Sequence, residues 1–253
     1  MRRIYIFIFV VVFVLFFSQT LSAKQKWEFN LHYGTWNLNI LKSAVENFVT
    51  EGADTEFRNG ILEKHPELIE ELYQRDFNFD TGGNNLGFEI RFYPGGEYGS
   101  FSLGLSVEKT KMEFSLSGFV DMEFTDGSYV DFDADGKFVV TPLSYNLSLR
   151  WDIKPSWRVH PYVGFGFGAA PVSGDVSYNL SGKFYNAETG LLETESESES
   201  KKLKDIEELA IKFYPIIQLN LGLKGRVSEN IYLQVDAGIW NGFLVRGGLS
   251  FRF

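Results

Sequence analysis

Residues 231–253 read IYLQVDAGIWNGFLVRGGLSFRF, two runs of about ten residues on either side of Asn241 and Gly242. In the first run Ile231, Leu233, Val235, Ala237 and Ile239 alternate with Tyr232, Gln234, Asp236 and Gly238. In the second, Phe243, Val245, Gly247, Leu249, Phe251 and Phe253 alternate with Leu244, Arg246, Gly248, Ser250 and Arg252. A period of two is the signature of a strand with one apolar face, and Asn-Gly is the strongest short hairpin turn. The polar face decides between fold classes. A soluble sandwich would show Lys, Glu and Thr there, whereas this face holds Gly, Ser and Gln with single charges of both signs. Such a face suits a narrow lumen, where glycine makes room for a long Arg or Tyr from the opposite wall.

Six more segments repeat the pattern. Trp27, Phe29, Leu31 and Tyr33 oppose Glu28, Asn30, His32 and Gly34, and Leu86, Phe88, Ile90 and Phe92 oppose Gly87, Glu89, Arg91 and Tyr93. The others start at Phe101, Leu143, His160 and Ile217. Tight connections at residues 94–97, 154–157, 227–230 and 241–242 alternate with long ones at about 37–83, 110–141 and 169–211. Short turns at one end and long loops at the other predict an all-β fold, a closed antiparallel up-and-down transmembrane β-barrel of eight strands. Asp126-Gly127 and Asp135-Gly136 are both hairpin signals, so ten strands is the alternative if Ser128–Ala134 crosses the membrane. That stretch is short and holds Asp131 and Asp133, which favours eight strands and a projecting hairpin. Trp27, Phe92, Trp151, Trp157 and Phe253 gather at the short-turn end like an interfacial aromatic girdle, though core aromatics show the same clustering. In the first long loop, short helices are predicted around Leu41–Val49 and over His65–Tyr73, where Pro66 and the acids behind it suit a first turn.

Composition sets further bounds. Arg2 and Arg3, an apolar run from Ile4 to Phe17, and small residues up to Ala23 predict a signal peptide at 1–23 and an exported domain at 24–253. The chain has 33 acidic and 24 basic residues, and losing the leader removes two basic ones, so nucleic acid is not an expected partner. With no cysteine, disulfides and thiolate metal sites are excluded. Aromatics make up 17%, yet no stretch after residue 23 is long and apolar enough for a membrane helix.

Phase along the strands places Glu28, Glu89, Arg91, Glu108, Arg150, Asp152, Lys224, Asp236, Arg246 and Arg252 inside. Charges in a confined low-dielectric space must pair, and a structural ion-pair plug and a selective pore would both use this set. Asp131, Asp133, Asp135 and Gly136 match the start of a calcium loop, but the twelfth position is Pro142 where a bidentate Glu is required. A hairpin explains the same residues, and no cofactor is expected. Glu193, Glu195, Glu197 and Glu199 alternate with Thr and Ser, as in a solvated loop tip. Only His32, His65 and His160 could act as imidazole bases, with no serine and acid arranged beside them, so no catalytic site is expected.

The run from Leu147 to Pro155, followed by His160-Pro161-Tyr162-Val163-Gly164-Phe165-Gly166-Phe167-Gly168, resembles small outer-membrane barrels of the OmpA and OmpW type. Phe251 and Phe253 resemble the aromatic C-terminal signal read by the barrel-assembly machinery. The resemblance implies an eight-stranded barrel in the outer membrane of a Gram-negative cell, in contact with lipid and lipopolysaccharide. It also implies passage of small apolar molecules; the expected function is a structural or small-solute role, with a loop-mediated adhesin or receptor, or a lipid A-modifying enzyme, as alternatives. It does not fix the oligomeric state.

Overall fold

A computed structural model describes residues 26–205 and 213–253, so the leader expected at 1–23 lies outside the described residues. Eleven antiparallel strands are described: β1 (Lys26–Asn37), β2 (Glu70–Tyr93), β3 (Phe101–Phe124), β4 (Tyr129–Val140), β5 (Leu143–Asp152), β6 (Val159–Pro171), β7 (Gly174–Asn186), β8 (Leu191–Lys202), β9 (Phe213–Arg226), β10 (Ile231–Trp240) and β11 (Phe243–Arg252). The predicted count of eight, with ten as the alternative, is therefore not matched.

The pairings account for the difference. Following neighbours from β1 gives β2, β3, β5, β6, β9, β10 and β11, which pairs with β1 again. Eight strands thus form a closed circuit of hydrogen bonds. The other three extend from one side of it. The inner part of β3 pairs with β5 from Phe101 to Lys109, and its outer part pairs with β4 from Met112 to Glu123. β7 lies against β4, and β8 against β7. Together with the outer half of β2, these make a five-stranded sheet projecting beyond the ring.

Thr141-Pro142 separates β4 from β5, and Val172-Ser173 separates β6 from β7. The two breaks face each other through the Thr141 amide, which donates to the Ser173 carbonyl at 2.8 Å. Segments expected as loops are mainly continuations of ring strands past these breaks. The Asp126-Gly127 hairpin forms, with Gly127 at φ +84°. Asp135-Gly136 does not turn: both residues lie inside β4, paired to Ser117 and Leu116 on one side and to Asn179 and Tyr178 on the other.

The helix expected around Leu41–Val49 is present as α1 (Lys42–Gly52), continued by a π-helical stretch at Ala53–Arg58 and by α2 (Asn59–Lys64). His65–Tyr73 is not helical. The alternation of Tyr73, Phe77, Phe79 and Thr81 pairs with β3 from Glu70 onward, and a sheet partner outweighs the weak propensity of the nine-residue acidic stretch.

Two apolar clusters follow. Ala53, Leu68, Val120, Met122, Phe124 and Val130 pack the helical segment onto the projecting sheet, with Phe57, Ile61 and Phe132 beside them. Trp36, Met112, Val140, Ala170, Ile216, Trp240 and Leu244, with Leu203, form an inward layer at the end of the ring that meets this sheet.

Candidate functional site

Inside the ring the phase of the strands decides which side chains meet. All ten charged residues predicted for the lumen are buried, and they fall into two ion-paired groups that Tyr162 bridges, lying under Arg150 and donating to Asp236. Together the groups hold five carboxylates and five cations. Lys224 donates to Glu28, which also accepts from Arg252 Nε at 2.9 Å and lies 3.8 Å from Arg150 Nη1. Arg150 bridges onward to Glu89 at 3.5 Å, and Glu89 holds Arg91 through two hydrogen bonds of 2.6 and 3.3 Å. Farther along, Arg246 Nε donates to Asp236 at 2.9 Å, Tyr162 donates to the other Asp236 oxygen at 2.7 Å, and Glu108 stands 3.5 Å from Arg246. Asp152 has only long contacts, 3.9 Å to Arg252 and 3.8 Å to His160.

Sequence phase did not single out the aromatic partners of these cations. The Arg252 guanidinium lies 3.7 Å from the Tyr93 ring centre, and Arg150 lies 4.2 Å from that of Tyr162. Both tyrosines alternate in phase with the charges, which was the available signal. Glycine supplies the room: a Cβ on Gly104 would lie 2.5 Å from Glu89 Oε1 and from Ser148 Oγ, and one on Gly222 would lie 2.5 Å from the Tyr162 ring. The space left among these side chains is about 10 Å3. That is the room needed for a single water.

The outer wall reverses this polarity. Leu221 is 63% exposed, Leu105 58% and Leu233 55%, whereas Glu28 and Lys224 are fully buried. At the short-turn end, Trp27 packs on Phe92 at 4.9 Å, Phe101 on Trp151 at 5.2 Å and Phe29 on Phe253 at 5.4 Å. Trp157 sits in the turn there, under Lys154 Nζ at 4.5 Å.

A second concave site lies over the projecting sheet. A cleft of about 950 Å3 is walled by Phe57, Ile61 and Lys64 of the helical segment, by His65 just after it, and by Val130, Phe132, Leu180 and Phe184 of the sheet. Its far wall is β8, from Glu193 to Glu197. His65 stacks on Phe184 at 4.7 Å. The helix is clamped to β2: Arg58 makes two 2.6 Å hydrogen bonds to Glu70, and Asp54 accepts from Tyr73 at 2.9 Å and from Arg75 at 2.6 Å. Burial, then the bond to Asp54, pushes the Tyr73 phenol up to about 12.

The calcium candidate is spread out by its backbone. Asp131, Asp133 and Asp135 lie along extended β4, where alternate residues stand about 7 Å apart rather than converging on one ion. Asp131 is held instead by Lys183 at 3.2 Å. Among the described residues, no group of three or more His, Asp and Glu is placed to hold a metal.

No protein-family model and no curated protein matches the chain. Among solved structures it is similar to the β domain of the Bordetella autotransporter BrkA, at 7% identity over 91% of this chain and 100% of that one, with a TM-score of 0.24. It is also similar to the transport unit of the autotransporter AIDA-I from Escherichia coli, at 8% identity over 92% and 91% of the two chains, with a TM-score of 0.21. Scores that low carry no argument, and the reading below rests on the chain's own geometry.

Proposed function

We propose that the chain is an integral outer-membrane β-barrel whose closed interior makes it an anchor, and whose working surface is the sheet and helix projecting outside the cell. The observation that carries this reading is the inverted polarity of the ring wall, with leucines exposed on the outside and ten charges buried within. A soluble protein does not expose an apolar belt running round its whole girth. In hydrocarbon such a belt is the stable arrangement, and closure leaves no unpaired strand edge. β5, β10 and β11 are each ten residues long, which matches the roughly 9–11 residues a crossing strand needs.

Under this reading the partners are outer-membrane lipid and lipopolysaccharide around the belt, and the assembly machinery engages Phe253 during insertion. The aromatic pairs at the short-turn end mark the inner interface. A structural role is supported over passage of small apolar molecules, because ion-paired side chains fill the ring, with a cavity of about 10 Å3 between His32, Glu89, Arg150 and Arg246, and the layer around Trp36 and Trp240 lies across its end. The projecting sheet with its cleft supports the receptor or adhesin reading of the exterior. The reading includes no catalytic step: His32 and His160 are buried among lumen side chains, and His65 is engaged with Phe184 and Glu67.

Planar-bilayer recording tests the closed anchor. The refolded chain is expected to insert without conductance steps. Discrete steps whose size changes in Arg246→Ala would show a lumenal pathway and overturn the reading.

A further inference from the structure

The projecting sheet has two edges, and among the described residues only one of them is covered. Along β2, the Lys42 ammonium donates to Asn78 at 2.7 Å, the Phe79 amide donates to Glu46 at 3.0 Å, and the Leu38 amide donates to Thr81 at 2.7 Å. The Lys42 and Glu46 side chains of α1 thus lie along that edge, and Glu46 takes up the Phe79 amide. β8, at the other side, pairs only with β7 among the described residues. Among the described residues, its outer row of N–H and C=O groups runs for 12 residues without a neighbouring strand.

Exposed edges of this length are ordinarily blunted by lysine, proline or a bulge. β8 has no proline or bulge, and its lysines stand only at its end, at Lys201 and Lys202. Its register places Glu193, Glu195, Glu197 and Glu199 opposite Phe184, Gly182, Leu180 and Tyr178, the face that looks into the 950 Å3 cleft. Tyr178 donates to Glu197 at 2.6 Å and to Glu199 at 3.1 Å, and Lys201 pairs with Glu199. The side chains of Glu193 and Glu195 have no hydrogen bond or ion pair among the described residues.

We propose that this edge and cleft dock an extended cationic segment of another polypeptide, which adds to β8 as a further strand. Lys or Arg at every second position would set their charges against the glutamates of the neighbouring strand. A second copy of the chain does not fit, because β8 paired with β8 would oppose Glu to Glu on one face. The inference deepens the receptor reading above and rests on it for the sheet lying outside the cell.

The test uses the full chain in detergent micelles and a fluorescent eight-residue peptide of alternating lysine and threonine. A second peptide is methylated on alternate backbone amides, so that it keeps the charge but cannot pair along an edge. The parent is expected to bind the first peptide at least tenfold more tightly than the second. Glu193→Gln/Glu195→Gln/Glu197→Gln is expected to lose roughly tenfold in affinity, about what two or three partly exposed ion pairs supply. These side chains are exposed, so folding is retained, and circular dichroism checks it. Equal binding of the two peptides would mean charge attraction without edge pairing, and would overturn the proposal. So would unchanged affinity in the triple variant, or a parent dimer that occupies the edge. Failure of the parent to bind would remove the docking proposal alone, because bilayer insertion is read separately.

Discussion

The ring interior and the projecting sheet use the same alternation of apolar and charged residues, but they place their charges in opposite circumstances. In the ring, five carboxylates face five cations, all of them buried, and the apolar side chains look outward. In the sheet, the apolar side chains look inward onto a helix, and two of the acids in β8, Glu193 and Glu195, have no partner among the described residues. Period two fixes which residues share a face. It does not fix which face meets solvent. That is settled by what else packs there: the opposite wall in the ring, and the helical segment in the sheet.

The sharpest way to break this comparison is to remove one member of the buried set. Glu28→Gln leaves Lys224, Arg252 and Arg150 without their shared anion, and is expected to cost roughly 3–5 kcal/mol in denaturant unfolding from detergent. Asp152→Asn should cost well under half as much, because neither Asp152 oxygen accepts a hydrogen bond from the protein. Equal costs would mean that the interior does not work as a set of specific pairs.

Trp240→Ala asks which layer closes the ring. Truncating a fully buried Trp costs roughly 3–5 kcal/mol through lost contacts and the cavity left behind. Bilayers should still show no conductance, since the ion network below is intact. Conductance in this variant would assign closure to the apolar layer alone.

In the sheet the expected effects are smaller. Arg58→Ala removes a partly exposed pair to Glu70, worth about 0.5–1 kcal/mol. It should speed proteolysis of the helical segment while leaving unfolding of the ring unchanged. The smallest effect is a pH response. The folded pKa of Tyr73 is raised to about 12 by burial and by Asp54, above its ordinary value of 10.0, so the fold favours the neutral phenol. Its contribution is complete below pH 10 and is lost as pH rises through 12. Helix circular dichroism should fall across that window, and Tyr73→Phe should flatten this component.

Much of the ring was legible in the sequence because its outer face is continuously apolar, so each strand announced both its period and its phase. The ten lumen charges came from that phase. The layer of Trp36, Met112, Ile216 and Trp240 shares it too, but an apolar residue on the polar face breaks the contrast that makes a phase visible. In β8, Glu and Ser alternate with no apolar side at all, the pattern of a solvated loop tip. The segment is a strand because β7 provides hydrogen bonds, and pairing of that kind is not written in one segment alone. His65–Tyr73 was misread for the complementary reason. Pro66 and its acids suggest a helix start, whereas the alternation that pairs with β3 begins only at Tyr73.

The absence of cysteine allows a direct test of the central claim, since any single cysteine is a unique label. Leu233→Cys faces outward from the ring wall, Gln234→Cys faces the lumen, and Ser196→Cys sits on β8. In intact cells a membrane-impermeant maleimide should label Ser196→Cys readily and leave the other two unreacted, while a lipid-soluble maleimide should reach Leu233→Cys. Labelling of Leu233→Cys by the impermeant reagent as fast as Ser196→Cys would contradict a membrane-embedded ring carrying an external sheet.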